Sequence, residues 1–149
     1  MNQYGAEMLH PSQVVEHWAS IRPLLAESCM SNELTEDTLT PEHILGLAVT
    51  DRCAIIAFHE NGSISLVLAI QFTEDCGHKS ASILAFAGEN MMVFKRLYWD
   101  YVKEWLKANG VVYVDTFANR RMAKVFRRKF GFAQSATCLR MPIKELHHG

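Results

Sequence analysis

Apolar residues recur at helical spacing near the start of the chain. After a short β-like run over residues 4–9, this spacing predicts a helix with Ser12 as its N-cap and a bend at Pro23. The residues that set the spacing are Val14, Trp18, Ile21, Leu24 and Leu25. Thr40 as N-cap and Pro41 at the first helical position predict a second, shorter helix. Two helices therefore precede the β-rich middle of the chain.

The pattern then changes to one typical of strands. The runs "CAIIAFHE" (53–60) and "SISLVLAIQF" (63–72) flank Asn61-Gly62, the dipeptide most typical of a two-residue hairpin. This predicts an antiparallel pair of strands. A third run, "SASILAFA" (80–87), predicts a further strand.

The last third alternates between helix and strand. A long amphipathic helix ends at Asn109-Gly110, and its apolar stripe comprises Phe94, Leu97, Tyr98, Tyr101, Val102, Trp105 and Leu106. A strand over 111–118, a helix from Asn119 to Gly131 and a closing strand over 133–143 follow. Strand, helix and strand form a crossover unit, so the strands near 80–87 and 111–118 should be parallel.

The fold class expected from this order is α/β, a mixed sheet with helices on both faces and the order (β)ααβββαβαβ. A chain of 149 residues suits one domain, 1–149. Hydrophobic residues make up 49% and charged residues 21%, which excludes a disordered chain. The formal net charge is −1, so electrostatic binding requires a local patch.

Cysteine usage and the chain start indicate a cytoplasmic protein. No C-x-x-C pair is formed by the widely spaced Cys29, Cys53, Cys76 and Cys138, which we expect to be reduced. No signal-peptide pattern opens the sequence, and no apolar run reaches the length of a membrane span. Seven histidines lack metal-ligand spacing, so no metal site is predicted.

The last helix carries the most informative local motif. It runs from Asn119 through Ala123 to Gly131-Phe132, and this pattern together with the element order resembles the Gcn5-related N-acetyltransferase (GNAT) superfamily. The resemblance implies a GNAT-like fold with an antiparallel hairpin and a splayed pair of parallel strands, near 83–87 and 112–117. It also implies that acetyl-coenzyme A, the cosubstrate, lies in the resulting wedge.

The same resemblance assigns coenzyme contacts to the strand before the long helix, to the start of that helix and to the last helix. These residues are Phe86, Ala87, Gly88, Asn90, Met91, Met92, Asn119 and Phe126. The loop "AGENMM" (87–92) departs from the family pattern, because it lacks the Gln or Arg and the paired glycines. The first-turn N–H groups of the helix can still bind a pyrophosphate, whereas the Glu89 carboxylate would repel it.

The chemistry implied by the resemblance is attack of an amine on a thioester, which requires a proton acceptor. Asp115 and Glu89 are the carboxylates best placed by sequence, with His59 and His78 as weaker candidates. Each also fits a surface or strand-end polar residue. Arg127 occupies the position where the family usually has a proton-returning Tyr, and it would act on the departing thiolate by charge.

Two functions remain open at this stage. The leading one is an acyl-CoA-dependent N-acyltransferase acting on a small-molecule or protein amine. The alternative is a catalytically inactive GNAT-fold protein that acts as a binding or structural module, as some family members do, including proteins encoded by bacteriophages.

Two surface features suggest partners. One face of the last helix carries Arg120, Arg121, Lys124, Arg127 and Arg128. This face could bind an acidic partner, the 3′-phosphate of the coenzyme or nucleic acid phosphates, or it could simply be exposed to solvent. Because Tyr98 and Trp99 are adjacent, we expect one of them to point away from the core, where it would suit a homodimer interface.

Overall fold

A computed structural model describes residues 2–30, 39–137, 139–141 and 143. Five helices and five strands lie within this part of the chain. The strands are β1 (Tyr4–Met8), β2 (Ala54–Glu60), β3 (Ser63–Asp75), β4 (His78–Gly88) and β5 (Val111–Thr116). The helices are α1 (Pro11–Glu16), α2 (Trp18–Met30), α3 (Pro41–Val49), α4 (Met91–Ala108) and α5 (Arg120–Lys129).

The strands form one mixed sheet in the order β1-β2-β3-β4-β5. The first four are antiparallel to their neighbours, and β4 and β5 are parallel. The β2–β3 hairpin turns at Asn61 and Gly62, whose φ angles are 53° and 85°, as a two-residue turn of this type requires. The predicted hairpin and parallel pair are confirmed.

Helices cover both faces of the sheet. On one face, α1, α2 and α3 bury Val14, Ile21 and Ile44 against Ala57 of β2. On the other, α4 and α5 pack an aromatic cluster against the sheet, comprising Phe58, Phe86, Phe94, Trp99, Phe126 and Phe130. Consecutive strand residues supply the two cores, because side chains alternate between the faces.

The start of the helical region differs from the prediction. His10, not Ser12, is the N-cap: its Nδ1 accepts a hydrogen bond from the Ser12 N–H at 3.2 Å, and Pro11 occupies the first turn. The helix breaks at His17, not at Pro23, which lies inside α2. Pro11 favours the earlier start because its fixed φ suits the first helical position.

The apolar stripe of α4 is rotated relative to the prediction. Trp99 is buried and packs edge-on against Phe130 at 5.1 Å between ring centroids, while Tyr101 is 74% exposed. Tyr98 also packs against the core, and its hydroxyl donates to the Tyr4 carbonyl at 3.3 Å. The expectation that Tyr98 or Trp99 points away was wrong, because α4 lies between the sheet and the end of α5 and both neighbours find apolar partners.

The predicted closing strand does not form in the residues that are described between 133 and 143. Small and polar residues fill 133–137, and Gln134 donates locally to Thr137 at 3.3 Å. Such a segment buries little apolar surface, which removes the main reason for a strand to add to the sheet. In the described part of the chain, β5 is therefore an edge strand.

Two further features bear on the predictions. Cys29 and Cys53 are free, buried thiols, and Cys138 lies outside the described residues. Among the described helices, none is both long and apolar enough to cross a bilayer.

Candidate functional site

A wedge opens where β4 and β5 separate. The two strands pair only over residues 79–83 and 111–116, and the Thr116 hydroxyl donates to the Ile83 carbonyl at 3.2 Å. β4 continues for five more residues to Gly88, whereas β5 ends at Thr116. The open edge of β4 therefore faces residues 117–119 rather than another strand. The predicted splay is confirmed beyond Ile83 and Thr116, whereas residues 113–116, which were expected to separate from β4, pair with it.

Four elements, α2, β4, β5 and α5, and the segment between β5 and α5 form the walls of this wedge. α2 contributes Ser28, and the start of α5 contributes Met122 and Phe126. The remaining lining residues are Ile83, Leu84, Ala85, Phe86, Thr116, Phe117, Ala118 and Asn119. The space enclosed between them is about 30 Å³, enough for one or two water molecules.

Ser28 reaches into the wedge from the opposite layer. The Phe86 backbone N–H points away from β3 and donates to Ser28 Oγ at 3.3 Å. An extended ligand lying along β4 would use the same N–H. Our sequence prediction missed Ser28; the available signal was a small polar residue between the buried Leu25 and Cys29 on one helix.

The loop after β4 is shaped by contact with β3. Gly88 has φ 134°, and a Cβ there would lie 2.1 Å from the Ser65 carbonyl oxygen, so only glycine fits. The Glu89 N–H donates to the same oxygen at 2.8 Å. The glycine is thus explained by strand packing, and the Glu89 N–H is already engaged.

The first turn of α4 keeps its backbone donors available. Asn90 is the N-cap in a left-handed conformation, with φ 62°, and makes no side-chain capping bond. Its amide donates instead to the Glu60 carboxylate of β2. Met91 and Met92 begin the helix, so their uncapped N–H groups offer partial positive charge to an anion.

Asn119 and Phe126, two of the residues for which coenzyme contact is expected, line the wedge. Asn119 caps α5, its Oδ1 accepting from the Met122 N–H at 2.8 Å. Phe126 is buried and packs against Phe86 across the wedge, with ring centroids 6.1 Å apart. The Phe132 N–H closes the helix end by donating to the Phe126 carbonyl at 3.1 Å, after the left-handed Gly131.

The candidate catalytic residues are not brought together. Asp115 is exposed on β5, one position before the wedge apex at Thr116. Glu89 is exposed in the loop before α4, and Arg127 is exposed on α5, where its Nε donates to the Ala123 carbonyl at 3.4 Å. Among the described residues that line the wedge, none is titratable.

The two histidine candidates lie outside the wedge. His59 Nε2 contacts the Glu7 carboxylate at 2.9 Å, on the β1–β2 side of the sheet, and His78 is exposed at the start of β4. Within the described ranges, no group of three His, Cys, Asp or Glu side chains could hold a metal ion.

Comparison of the sequence with protein-family models and with curated proteins gives no match. Solved structures match along almost the whole chain. A ribosomal-protein-alanine N-acetyltransferase from Brucella melitensis has a TM-score of 0.68 at 11% identity, covering 95% of this chain and 100% of its own. An aminoglycoside acetyltransferase from an uncultured soil metagenomic sample has a TM-score of 0.66 at 17% identity, covering 95% and 99%.

A predicted acetyltransferase from Clostridium acetobutylicum, solved with acetyl-CoA, has a TM-score of 0.65 at 14% identity and covers 99% of this chain and 100% of its own. A GNAT family acetyltransferase from Staphylococcus aureus has a TM-score of 0.66 at 12% identity, covering 94% and 98%. The sheet order, the parallel β4–β5 pair and these likenesses agree: the chain has the fold of the GNAT acetyltransferases.

Proposed function

We propose that this protein is an acyl-CoA-dependent N-acyltransferase that transfers an acetyl group from acetyl-CoA to an amine. The observation that supports this most directly is the open edge of β4 over residues 84–88, flanked by Asn119 and Phe126. An extended, amide-bearing ligand can pair with such an edge through backbone hydrogen bonds. Structures with this fold include a predicted acetyltransferase solved with acetyl-CoA.

The residues present fit such a coenzyme with one obstruction. The edge of β4 would hold the pantetheine arm, and the N–H groups of Met91 and Met92 would hold the pyrophosphate. Ser28 obstructs, because its hydroxyl occupies the Phe86 N–H and the enclosed space is only about 30 Å³. Binding therefore requires the Ser28 hydroxyl to give up this hydrogen bond.

The acceptor amine must lose a proton during transfer. Because the described wedge lining has no titratable side chain, a proton acceptor must act from its rim. Asp115 lies one residue before the wedge apex and is open to solvent, so we assign it this role, through water. Glu89 and Arg127 lie outside the lining, and their catalytic roles stay predictions.

The test is a thermal shift with acetyl-CoA. At about 1 mM acetyl-CoA we expect Tm to rise by several degrees, as for a ligand at about 100 times its Kd. Ala118→Trp fills the wedge and should abolish the rise. Val112→Trp, at an exposed position of β5 outside the lining, should retain it. An unchanged Tm in the wild type would contradict coenzyme binding.

A non-catalytic binding module is the second candidate, favoured by the lack of a titratable group in the described lining. Thiol release from acetyl-CoA separates the two. Suitable acceptors for this assay are an aminoglycoside and a peptide with N-terminal alanine. Proteins of similar fold include an aminoglycoside acetyltransferase solved with sisomicin and a ribosomal-protein-alanine N-acetyltransferase. A thermal shift without thiol release across such acceptors would favour the module.

A further inference from the structure

Charge is divided unevenly along the chain. Of the 15 lysines and arginines, 12 follow residue 90, whereas 12 of the 16 aspartates and glutamates precede it. The nearly neutral net charge of −1 therefore conceals an acidic first part and a basic second part. The basic part includes α4 and α5, which share one face of the sheet.

α5 concentrates this positive charge. Six of its ten residues are Lys or Arg, and none is acidic. All six are exposed, and within the described part of the chain none forms an ion pair. Five of them lie opposite the buried Phe126 and occupy about 12 Å of helix: Arg120, Arg121, Lys124, Arg127 and Arg128.

A groove continues the positive surface onto α4. It has a volume of about 480 Å³ and is bordered by Lys95, Arg96 and Lys103 of α4 and by Lys129 at the end of α5. Asp100 is the single carboxylate along it, and Lys103 pairs with that carboxylate at 3.2 Å. We call α5 and this groove together the basic surface.

The chemistry of the basic surface favours phosphate over a protein partner. Among the described residues, no large exposed apolar side chain lies on α5 or lines the groove; those of α4 are Met92, Leu97 and Tyr101. Protein interfaces depend on buried aromatic or aliphatic anchors, whereas contacts to a phosphate backbone need only cations and hydrogen-bond donors. Arginine, four of the six cations of α5, binds phosphate oxygens in pairs through its planar guanidinium.

We propose that the basic surface binds the phosphate backbone of nucleic acid without reading its sequence. A 12 Å length of duplex carries about seven phosphates, enough to face the five aligned cations. The proposal stands apart from acyl transfer, because Arg121 and Arg128 do not line the wedge.

Fluorescence anisotropy with a labelled duplex of about 20 base pairs, at about 50 to 200 mM KCl, tests this. We compare Arg121→Gln/Arg128→Gln with the control Arg52→Gln/Lys79→Gln, which changes the net charge equally but lies outside the basic surface. For the first pair we expect at least about tenfold weaker binding near 100 mM salt and a salt slope smaller by about 1.8. The control pair should bind within about twofold of the wild type.

Five results would overturn the proposal, four of them read from binding and self-association and one from the acetyl-CoA thermal shift. The first four are no binding by the wild type even at the lowest salt, an equal loss in both pairs, capture of polyglutamate but not of the duplex, and self-association that Arg121→Gln/Arg128→Gln abolishes. The fourth would assign the surface to the acidic part of a second copy. The fifth result is a variant Arg121→Gln/Arg128→Gln that loses the acetyl-CoA thermal shift but binds the duplex as the wild type does. This result would assign the cations to the coenzyme.

Discussion

At the scale of single residues, Ser28 occupies a backbone donor of the wedge. Its hydroxyl accepts from the Phe86 N–H, the donor that a bound thioester or pantetheine would need. Ser28→Ala removes this competition, so we expect acetyl-CoA to bind about fivefold more tightly, equivalent to about 1 kcal/mol. Ser82→Ala, a serine of β4 outside the wedge lining, is the control. Weaker binding of Ser28→Ala would show instead that the hydroxyl holds the ligand.

Glu89 places a negative charge beside the proposed pyrophosphate position. Glu89→Gln removes the repulsion, and we expect acetyl-CoA affinity, measured by calorimetry, to rise by a factor of about three to five. Glu104→Gln, an exposed carboxylate three turns along α4, should leave affinity unchanged. A lower affinity of Glu89→Gln would mean that the carboxylate takes part in binding or catalysis.

Cys53 gives the fold a dependence on alkaline pH. Burial raises the pKa of this thiol from 9.0 to about 12, so the folded protein retains a proton that the unfolded chain releases. The resulting stability is complete below about pH 9 and is lost as pH rises toward 12, by about 1.4 kcal/mol per pH unit. Urea denaturation at several pH values should show a shallower decline for Cys53→Ala, whereas Cys76→Ala should follow the wild type.

At the scale of elements, the β3–β4 contact fixes the start of α4. Gly88→Ala would place a Cβ 2.1 Å from the Ser65 carbonyl oxygen, at a φ of 134°. We expect a loss of more than about 3 kcal/mol in the free energy of unfolding by urea. Gly46→Ala in α3 has open space around its Cβ and should be neutral or stabilised by up to about 1 kcal/mol. Equal stability of both variants would contradict the described loop geometry.

Elements with strong local signals were predictable. The hairpin turn and two helix starts depend on contacts within a few residues, so the sequence alone indicates where they lie. They are Asn61-Gly62, Thr40-Pro41 and Asn119. The described residues between 133 and 143 were mispredicted as a strand because strand pairing depends on tertiary contacts, which the local sequence does not show.

The site was harder to predict than the fold because its contacts are distant in sequence. Ser28 and Phe86 are 58 positions apart, and the periodicity of the sequence does not predict that they are in contact. The need for glycine at position 88 comes from the close approach of Ser65, 23 positions earlier in the sequence. The splay itself was expected only from the resemblance, since strand spacing does not reveal where pairing ends.

At the scale of the whole molecule, the two regions with proposed functions are separate. The wedge lies between β4, β5 and the start of α5, and its described lining carries no charged side chain. The basic surface lies on the outer sides of α4 and α5. The positive charge of the second part of the chain is therefore concentrated on the basic surface. Ligand binding in the wedge depends instead on backbone hydrogen bonds.

The most direct test of coenzyme binding in the wedge is an NMR titration of the backbone amides with acetyl-CoA. We expect the amides of residues 84–88 and of Met91 and Met92 to shift, Phe86 most strongly. Those of residues 79–83, which pair with β5, should shift little. An unchanged Phe86 amide, or shifts confined to the basic surface, would contradict the account.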